Sequence, residues 1–188
     1  HGAHVAIFTT PATPIYTTFH AAITSALASP GCNGCSVTTY SFPEPDIGSK
    51  LPNEVSSFLT AHPSTNYLVF DFSNEVDGVP SALTTSGESG KVKILTTDTT
   101  STESEYLKNG QEAAAAAVPW PELFWGGVNV ILAESEGVSP TAAENVSYPH
   151  MIITGSNVVT TTGLFPLVAN YESAVSYTHL TLPTILRV

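Results

Sequence analysis

The sequence predicts an α/β fold, a parallel sheet with helices on both of its faces. Short apolar runs such as His4–Thr9 and Tyr67–Asp71 are typical of strands that are buried on both faces. Between them, apolar residues recur at helical spacing, as in Ile15–Leu27. The two patterns alternate along the chain, which indicates βαβ units and therefore three layers, with the sheet in the middle.

The predicted elements follow one another in a regular order. The predicted strands are His4–Thr9, Ser36–Tyr40, Tyr67–Asp71, Lys93–Thr97 and Ala113–Val118. The last strand is the weakest prediction because alanine is a poor strand former. The predicted helices are Ile15–Leu27, one that carries Val55, Phe58 and Leu59, Val76–Thr85, one from Thr102 to Asn109–Gly110, and Glu122–Glu134. Pro80 fits the first turn of the third helix.

Composition excludes several classes of protein. The chain has 188 residues, enough for one ordinary domain, and 42% of them are hydrophobic, which excludes a disordered chain. Acidic residues number 16 against 5 basic ones, for a net charge of -11. So few cations argue against nucleic acid as a partner, because such binding depends on neutralising phosphates. No apolar run approaches the ~20 residues that a membrane-spanning helix needs.

Both cysteines lie in one short motif, Cys32-Asn33-Gly34-Cys35. We expect a small loop disulfide formed in an oxidising compartment. Two inert thiols are the main alternative, and a redox or metal-binding pair is a further one. A redox pair usually opens a helix, whereas the strand-like Ser36–Tyr40 follows this motif.

The carboxyl ends of parallel strands meet at one edge of a sheet, where such folds bind ligands. The segments expected there are Thr9–Tyr16, Asp71–Asn74, Thr97–Thr100 and Val118–Trp120. Their aromatic, hydroxyl and carboxylate side chains are the candidate ligand-binding residues: Tyr16, Phe72, Ser73, Asp98, Thr99 and Trp120. Each aromatic residue is equally compatible with core packing, and Asp98 with capping a turn.

The sequence contains no catalytic or metal-binding motif that we recognise. We therefore expect no catalytic residue, no metal and no cofactor. The six histidines are scattered along the chain, and we expect them at surface or turn positions.

The last residues do not fit the rest of the sequence. Val175–Thr184 matches, residue by residue, the translation of a transposon adapter used in sequencing libraries. The alternative is a genuine strand, since the segment contains β-branched residues and leucine. We interpret Val175–Val188 as an artefact tail and leave it out of the arguments on fold and function. The native sequence is then expected to differ after Ala174.

Part of the chain resembles the distal lobe of type I periplasmic binding proteins. In that family a strand ends in a Gly-Phe-Asp-like turn and is followed by a short helix that ends at Asp/Asn-Gly. Next comes an apolar strand, and then a Pro-rich turn that begins an amphipathic helix. The corresponding segments here are Lys93–Asp98, Glu103–Gly110, Ala113–Val118 and Pro119–Leu132. Met151–Gly155, followed by Asn157-Val158, resembles the last hinge strand, so the resemblance covers roughly His4–Tyr171.

This resemblance implies a three-layer αβα, Rossmann-like lobe of a type I periplasmic binding protein, here incomplete. Residues 1–133 would form the second lobe. Residues 134–174 would cross back through the hinge and form part of the return to a missing first lobe. Residues 175–188 would be the artefact tail. Such proteins resemble a clamshell that closes on its ligand at a hinge.

The resemblance also implies a function. The protein would be the substrate-binding component of an ABC importer, with a sugar or other small solute and a transporter permease as partners, and not an enzyme. It would be periplasmic or extracellular, with a lipid anchor on a missing N-terminal segment as one means of attachment. The alternatives are an effector-binding domain of a repressor or sensor with the same fold, and an enzyme whose catalytic part is missing.

The family's binding residues carry over only in part. Asp98 falls on the family's ligand-binding aspartate. Where the family has an arginine at the start of the first helix, this chain has Ile15 or Tyr16. Where the family has an Asn-Asp pair after the third strand, this chain has Phe72–Ser73, and Val118 stands in place of a glutamine. These departures imply a ligand that is more apolar, or more dependent on aromatic stacking, than a ribose-like sugar.

Overall fold

A computed structural model describes residues 2–11, 15–148, 151–158 and 170–176 of the chain. The chain divides into two compact units. The first consists of His1–Ala116 and Ile152–Thr162, and the second of Ala117–Met151 and Gly163–Val188. The domain boundaries expected at residues 133 and 174 remain predictions. Of the expected artefact tail, only Val175 and Ser176 fall within the described residues.

The strands form one six-stranded sheet with the order β2-β1-β3-β4-β5-β6. Their bounds are β1 His4–Thr9, β2 Ser36–Ser41, β3 Tyr67–Phe70, β4 Lys93–Thr97, β5 Ala114–Ala117 and β6 Met151–Ile153. The pairings from β2 across to β5 are all parallel. The expected α/β fold with a parallel sheet is therefore confirmed.

The helices α1 to α6 lie between the strands in sequence, as the alternating pattern predicted, and α7 follows β6. Their bounds are α1 Ile15–Leu27, α2 Leu51–Ala61, α3 Val79–Ser86, α4 Ser101–Lys108, α5 Trp120–Ser135, α6 Thr141–Glu144 and α7 Tyr171–Ser176. The predicted helix Val76–Thr85 is shorter at its start than expected. Gly78 adopts a left-handed φ of 80° there, and Ser73–Val76 forms a separate 3₁₀ turn.

The larger core lies on the face of the sheet that α2 and α3 cover. Phe8 of β1 and Phe70 of β3 are fully buried, with ring centroids 5.2 Å apart. Phe58 of α2 packs edge-on against Phe8 at 5.3 Å, and Leu83 of α3 belongs to the same cluster. Each large apolar side chain buried in this way contributes roughly 1.5–3 kcal/mol to folding.

The opposite face of the sheet is covered by α1. Val5, Ile7 and Val69 point to this face because side chains alternate along a strand. Phe19 and Ile23 of α1 pack against them but are only partly buried. With α2 and α3 on the other face, the first unit has the three layers that the sequence predicted.

The strand order reverses between β1 and β3. From β1 the chain passes through α1 to β2 on one side, and it then returns through α2 to β3 on the other side. The connections that leave β1 and β3 therefore diverge at the carboxyl ends of these two strands, and we refer to this switch point as the crevice. In open α/β sheets this switch point is where ligands bind.

The second unit contains α5, α6 and α7. Gly126 of α5 lies against Tyr148, since a Cβ atom at Gly126 would be only 1.9 Å from the Tyr148 hydroxyl. That hydroxyl is 3.3 Å from the hydroxyl of Tyr171 in α7. Burial, followed by the contact with Tyr148, raises the pKa of Tyr171 to about 12. Among the described residues, no helix is both long and apolar enough to cross a membrane.

Candidate functional site

The crevice between β1 and β3 is lined by aromatic side chains from α1 and from the end of β3. Tyr16 and His20 are four residues apart on α1 and therefore lie on the same helix face. Their rings are 6.4 Å apart and nearly parallel. Phe72, just after β3, meets Tyr16 edge-on with ring centroids 5.3 Å apart. These three rings form an aromatic cluster at the switch point.

Beside this cluster, His20 is paired with Asp71. Asp71 Oδ1 lies 2.7 Å from His20 Nε2, and an ionised carboxylate can only accept, so Nε2 is the donor. The Asp71 side chain is completely buried, whereas that of His20 is 19% exposed. The second oxygen, Asp71 Oδ2, is also buried and receives a hydrogen bond from none of the described residues.

The backbone at the end of β3 is held on both sides. The Glu75 carboxyl group accepts hydrogen bonds from the Asp71 N–H at 2.9 Å and the Phe72 N–H at 3.3 Å. The Thr97 hydroxyl of β4 donates to the Asp71 carbonyl oxygen. Burial raises the pKa of Glu75 to about 8, with the nearby charge of Asp71 acting in the same direction. Asp71 and Phe72 are thus fixed before any ligand arrives.

The end of β4 provides a second carboxylate. Asp98 adopts a left-handed φ of 71°, a conformation that is uncommon for residues other than glycine, although aspartate adopts it more often than most. Its Oδ1 accepts a hydrogen bond from the Thr99 N–H at 2.7 Å, so it does form the turn cap considered in the sequence analysis. Thr99 is 1% exposed, and its hydroxyl contacts no partner among the described residues.

The other predicted site residues lie elsewhere. Ser73 is buried within the 3₁₀ turn that follows Phe72. Trp120 begins α5 in the second unit and stacks near Phe124 with ring centroids 6.2 Å apart. The indole N–H of Trp120 is buried and finds no acceptor within the described ranges. Of the six predicted residues, Tyr16 and Phe72 line the crevice, and Asp98 and Thr99 follow the neighbouring strand.

Two residues of this site were missed from the sequence, His20 and Asp71. The expectation that the histidines occupy surface or turn positions is wrong for His20, which lies partly buried in α1 and is paired. A signal was present, because His20 follows the candidate Tyr16 by one helical turn. Asp71 was expected at this edge within the segment Asp71–Asn74 but was not among the six candidates, and the alternation of side chains places it on the face that α1 covers.

Cys32 and Cys35 are joined by a disulfide in the structure, in the turn between α1 and β2. This turn lies at the amino edge of the sheet, opposite the crevice. Within the described parts of the chain, no group of three or more His, Cys, Asp or Glu side chains is arranged to hold a metal ion.

A separate apolar cavity of about 450 Å³ lies in the first unit on the α1 face of the sheet. It is lined by Phe19 and Ile23 of α1 and by strand residues that include Val69, Leu95 and Ala115. The polar residues that line it are Tyr67 and Thr96, and the Thr96 hydroxyl already donates to Glu112. A solute rich in hydroxyls would lose its hydrogen bonds to water there, so this cavity does not suit a polar ligand.

Comparison with known proteins gives a match in structure but not in sequence. No protein-family model matches the chain, and no curated protein matches it in sequence. Solved structures do match. A substrate-binding protein of a sugar ABC transport system from Bordetella parapertussis has a TM-score of 0.67 at 18% identity, covering 86% of this chain and 52% of that one.

Two further structures give the same result. One is a periplasmic solute-binding protein of an ABC transporter from Actinobacillus succinogenes, with bound D-allose. Its TM-score is 0.70 at 16% identity, and the match covers 84% of this chain and 54% of that protein. A glucose-galactose binding protein from Geobacillus stearothermophilus has a TM-score of 0.68 at 17% identity, with coverage of 84% and 55%. The chain therefore has the fold of a type I periplasmic binding protein and spans about half the length of the solved proteins that it matches.

Proposed function

We propose that this protein is the solute-binding component of an ABC importer, and that it captures a sugar or a similar small solute at the carboxyl edge of its sheet. The observation that carries this proposal is the crevice at the switch point between β1 and β3. It combines an aromatic cluster with a buried carboxylate, and the fold is that of sugar-binding proteins.

The chemistry of the crevice suits a solute with hydroxyl groups. Aromatic rings pack against the C–H faces of sugars, and carboxylates accept hydrogen bonds from hydroxyl groups. Phe72 stands where the family resemblance implied an asparagine, and it is in contact with Tyr16. We therefore infer that stacking contributes more, and amide hydrogen bonds less, than in ribose-binding relatives.

The partners and location belong to the same proposal. We infer that the solute is held between this lobe and the family's first lobe, and that a permease receives the solute. An exported protein, periplasmic or extracellular, fits both the fold and a disulfide between Cys32 and Cys35. Attachment through a lipid anchor remains a prediction.

The proposal is tested by titrating the full-length protein with neutral sugars in a calorimeter. Suitable probes are D-allose and D-arabinose, which are bound in two of the similar structures, and D-glucose and D-galactose, the sugars of the similar glucose-galactose binding protein. We expect at least one of them to bind with heat that saturates at one site. If none of the four binds, the proposed function is contradicted.

Asp98 provides a residue-level test. We expect Asp98→Ala to weaken binding of the sugar roughly tenfold to a hundredfold, because a hydrogen bond to a charged acceptor is lost. The left-handed φ of 71° would by itself strain alanine, so Asp98→Gly is the matched variant that removes the carboxylate without that strain. Circular dichroism should show that both variants keep the fold. Unchanged affinity in Asp98→Gly would contradict the role given to Asp98.

A further inference from the structure

Two buried oxygens that closely follow the carboxyl ends of adjacent strands have no hydrogen-bond partner among the described residues. They are Asp71 Oδ2 after β3 and the Thr99 hydroxyl after the neighbouring strand β4. A buried polar atom without a partner costs folding free energy, so native proteins rarely keep one without a reason. A hydrogen-bond donor from a bound solute would satisfy such an oxygen.

Every other polar atom of Asp71 is already in use. Oδ1 accepts from His20, the N–H donates to Glu75, and the carbonyl oxygen accepts from the Thr97 hydroxyl. These contacts tie Asp71 to α1, to the 3₁₀ turn and to β4. The carboxylate is therefore fixed in orientation, and a fixed acceptor binds a donor without a further entropic cost of ordering.

We propose that Asp71, positioned by His20, is an anchor that accepts a hydrogen bond from a hydroxyl or ammonium group of the captured solute. This inference rests on the proposed function and makes it more specific. It assigns a ligand-binding role to Asp71 and a positioning role to His20, neither of which the sequence resemblance implied.

The two carboxylates at the carboxyl edge should make Asp71 select against anionic solutes. Asp71 and Asp98 lie at the ends of adjacent strands, where Asp71 contacts His20 and Asp98 accepts a hydrogen bond from the Thr99 N–H. Three of the four lysines within the described ranges precede or begin β4 or end α4, which places them at the amino edge. The fourth, Lys50, immediately precedes α2 and so lies at the carboxyl edge, where its charge is paired with Asp46. A solute that carries a carboxylate or phosphate would meet like charges here, so we expect neutral or cationic solutes to be preferred.

The first experiment compares wild-type protein with Asp71→Asn by calorimetry, using whichever of the four neutral sugars binds. The substituted amide would keep an oxygen for His20 but would place a donor where the solute needs an acceptor. We expect affinity to fall roughly tenfold to a hundredfold. Glu112→Gln is the matched control, because Glu112 is also buried with one unpartnered oxygen but precedes β5 at the amino edge. Its affinity should stay unchanged.

A second pair of variants guards against misfolding of Asp71→Asn. His20→Gln keeps a side-chain N–H that can donate to Asp71, whereas His20→Leu removes it. If His20 positions the anchor, His20→Leu should bind the sugar more weakly and His20→Gln should recover most of the affinity. Binding is measured well below the melting temperature of each variant, because His20→Leu also leaves Asp71 Oδ1 without a partner and should lower stability. Equal affinity in wild type, Asp71→Asn and His20→Leu would overturn the inference.

The outcomes separate this inference from the proposed function. If no neutral sugar binds wild-type protein, the proposed function fails and the anchor fails with it. If a sugar binds but Asp71→Asn binds it equally well, only the anchor fails. The selectivity is tested by comparing the affinity for D-glucose with the affinities for D-glucosamine and D-glucuronate, or the affinity for D-galactose with that for D-galacturonate. Binding of a uronate as tight as that of its parent sugar would contradict the selectivity for neutral or cationic solutes.

Discussion

The two edges of the sheet use their polar groups differently. At the amino edge, Asn66 accepts a hydrogen bond from the His4 N–H at 2.8 Å and donates one to the Gly2 carbonyl at 3.2 Å. Its backbone also pairs with His4 and with Lys93. At the carboxyl edge, Asp71 and Thr99 each keep one buried oxygen without a partner among the described residues. The first arrangement stabilises the chain, and the second leaves acceptors for a ligand.

Glu112 is the instructive exception at the amino edge. It accepts a hydrogen bond from the Thr96 hydroxyl at 2.5 Å, and its other oxygen is buried without a partner in the described parts of the chain. Burial raises the pKa of Glu112 to about 8, and the neighbouring Glu103 acts in the same direction. The group is therefore largely neutral at pH 7. Thr96 holds Glu112 as His20 holds Asp71, so an unpartnered oxygen indicates a ligand anchor only at the carboxyl edge, where such folds bind ligands.

The largest effect we expect is a loss of stability as pH rises. The folded-state pKa values of Glu75 and Glu112 are raised to about 8, so between pH 5 and pH 8 the folded state binds more protons than the unfolded state. Stability should therefore fall across this window, by at most about 1.4 kcal/mol per pH unit for each group. Urea unfolding at several pH values measures it.

Two variants show how much of this loss of stability comes from each edge of the sheet. Glu75→Gln removes the titrating group at the carboxyl edge, and Glu112→Gln removes the one at the amino edge. Each should flatten the dependence of the unfolding free energy on pH. Stability that rises from pH 5 to pH 8, or slopes that neither variant changes, would show that these carboxyl groups are not held protonated by burial.

Asn66→Ala should have a smaller effect and should separate stability from binding. Removing the side chain leaves the His4 N–H and the Gly2 carbonyl without their partner, which costs about 1–3 kcal/mol. Sugar affinity should not change, because Asn66 lies at the amino edge. Asn53→Ala, at an exposed position of α2, is the control and should be nearly neutral. Weaker sugar binding by folded Asn66→Ala would mean that the two edges are not independent.

The disulfide should contribute least. Cys32 and Cys35 are separated by only three positions, so the closed loop is short. Replacing both by alanine should lower the free energy of unfolding by about 1–2 kcal/mol and leave sugar binding unchanged. Mass measurement of the exported protein should find the pair oxidised. Free thiols would contradict an oxidising compartment.

The strands and helices of the first unit were predictable because their patterns depend on burial. The strands β1 and β3 are short apolar runs, and α1 and α2 carry apolar residues at helical spacing. Even the all-alanine β5 forms, since its place in the sheet outweighs the weak strand propensity of alanine. The start of α3 was misjudged because the left-handed conformation of Gly78 depends on its surroundings.

The candidate site was less predictable because it depends on contacts between distant residues. Tyr16, Phe72 and Asp98 were found from their positions near strand ends. His20 and Asp71 are 51 positions apart in sequence, so nothing local joins them. Their pairing follows from the side of the sheet to which α1 returns. That side is a property of the topology, and one sequence without homologues does not give it.

The most direct test of the carboxyl edge as the binding site is a crystal structure of the full-length protein grown with the neutral sugar that binds in calorimetry. We predict that the sugar lies at the crevice between β1 and β3, with its ring against Phe72 or Tyr16 and a hydroxyl group about 2.7 Å from Asp71 Oδ2. A sugar bound at the amino edge or in the apolar cavity beneath α1, with Asp71 Oδ2 still without a donor, would contradict this account.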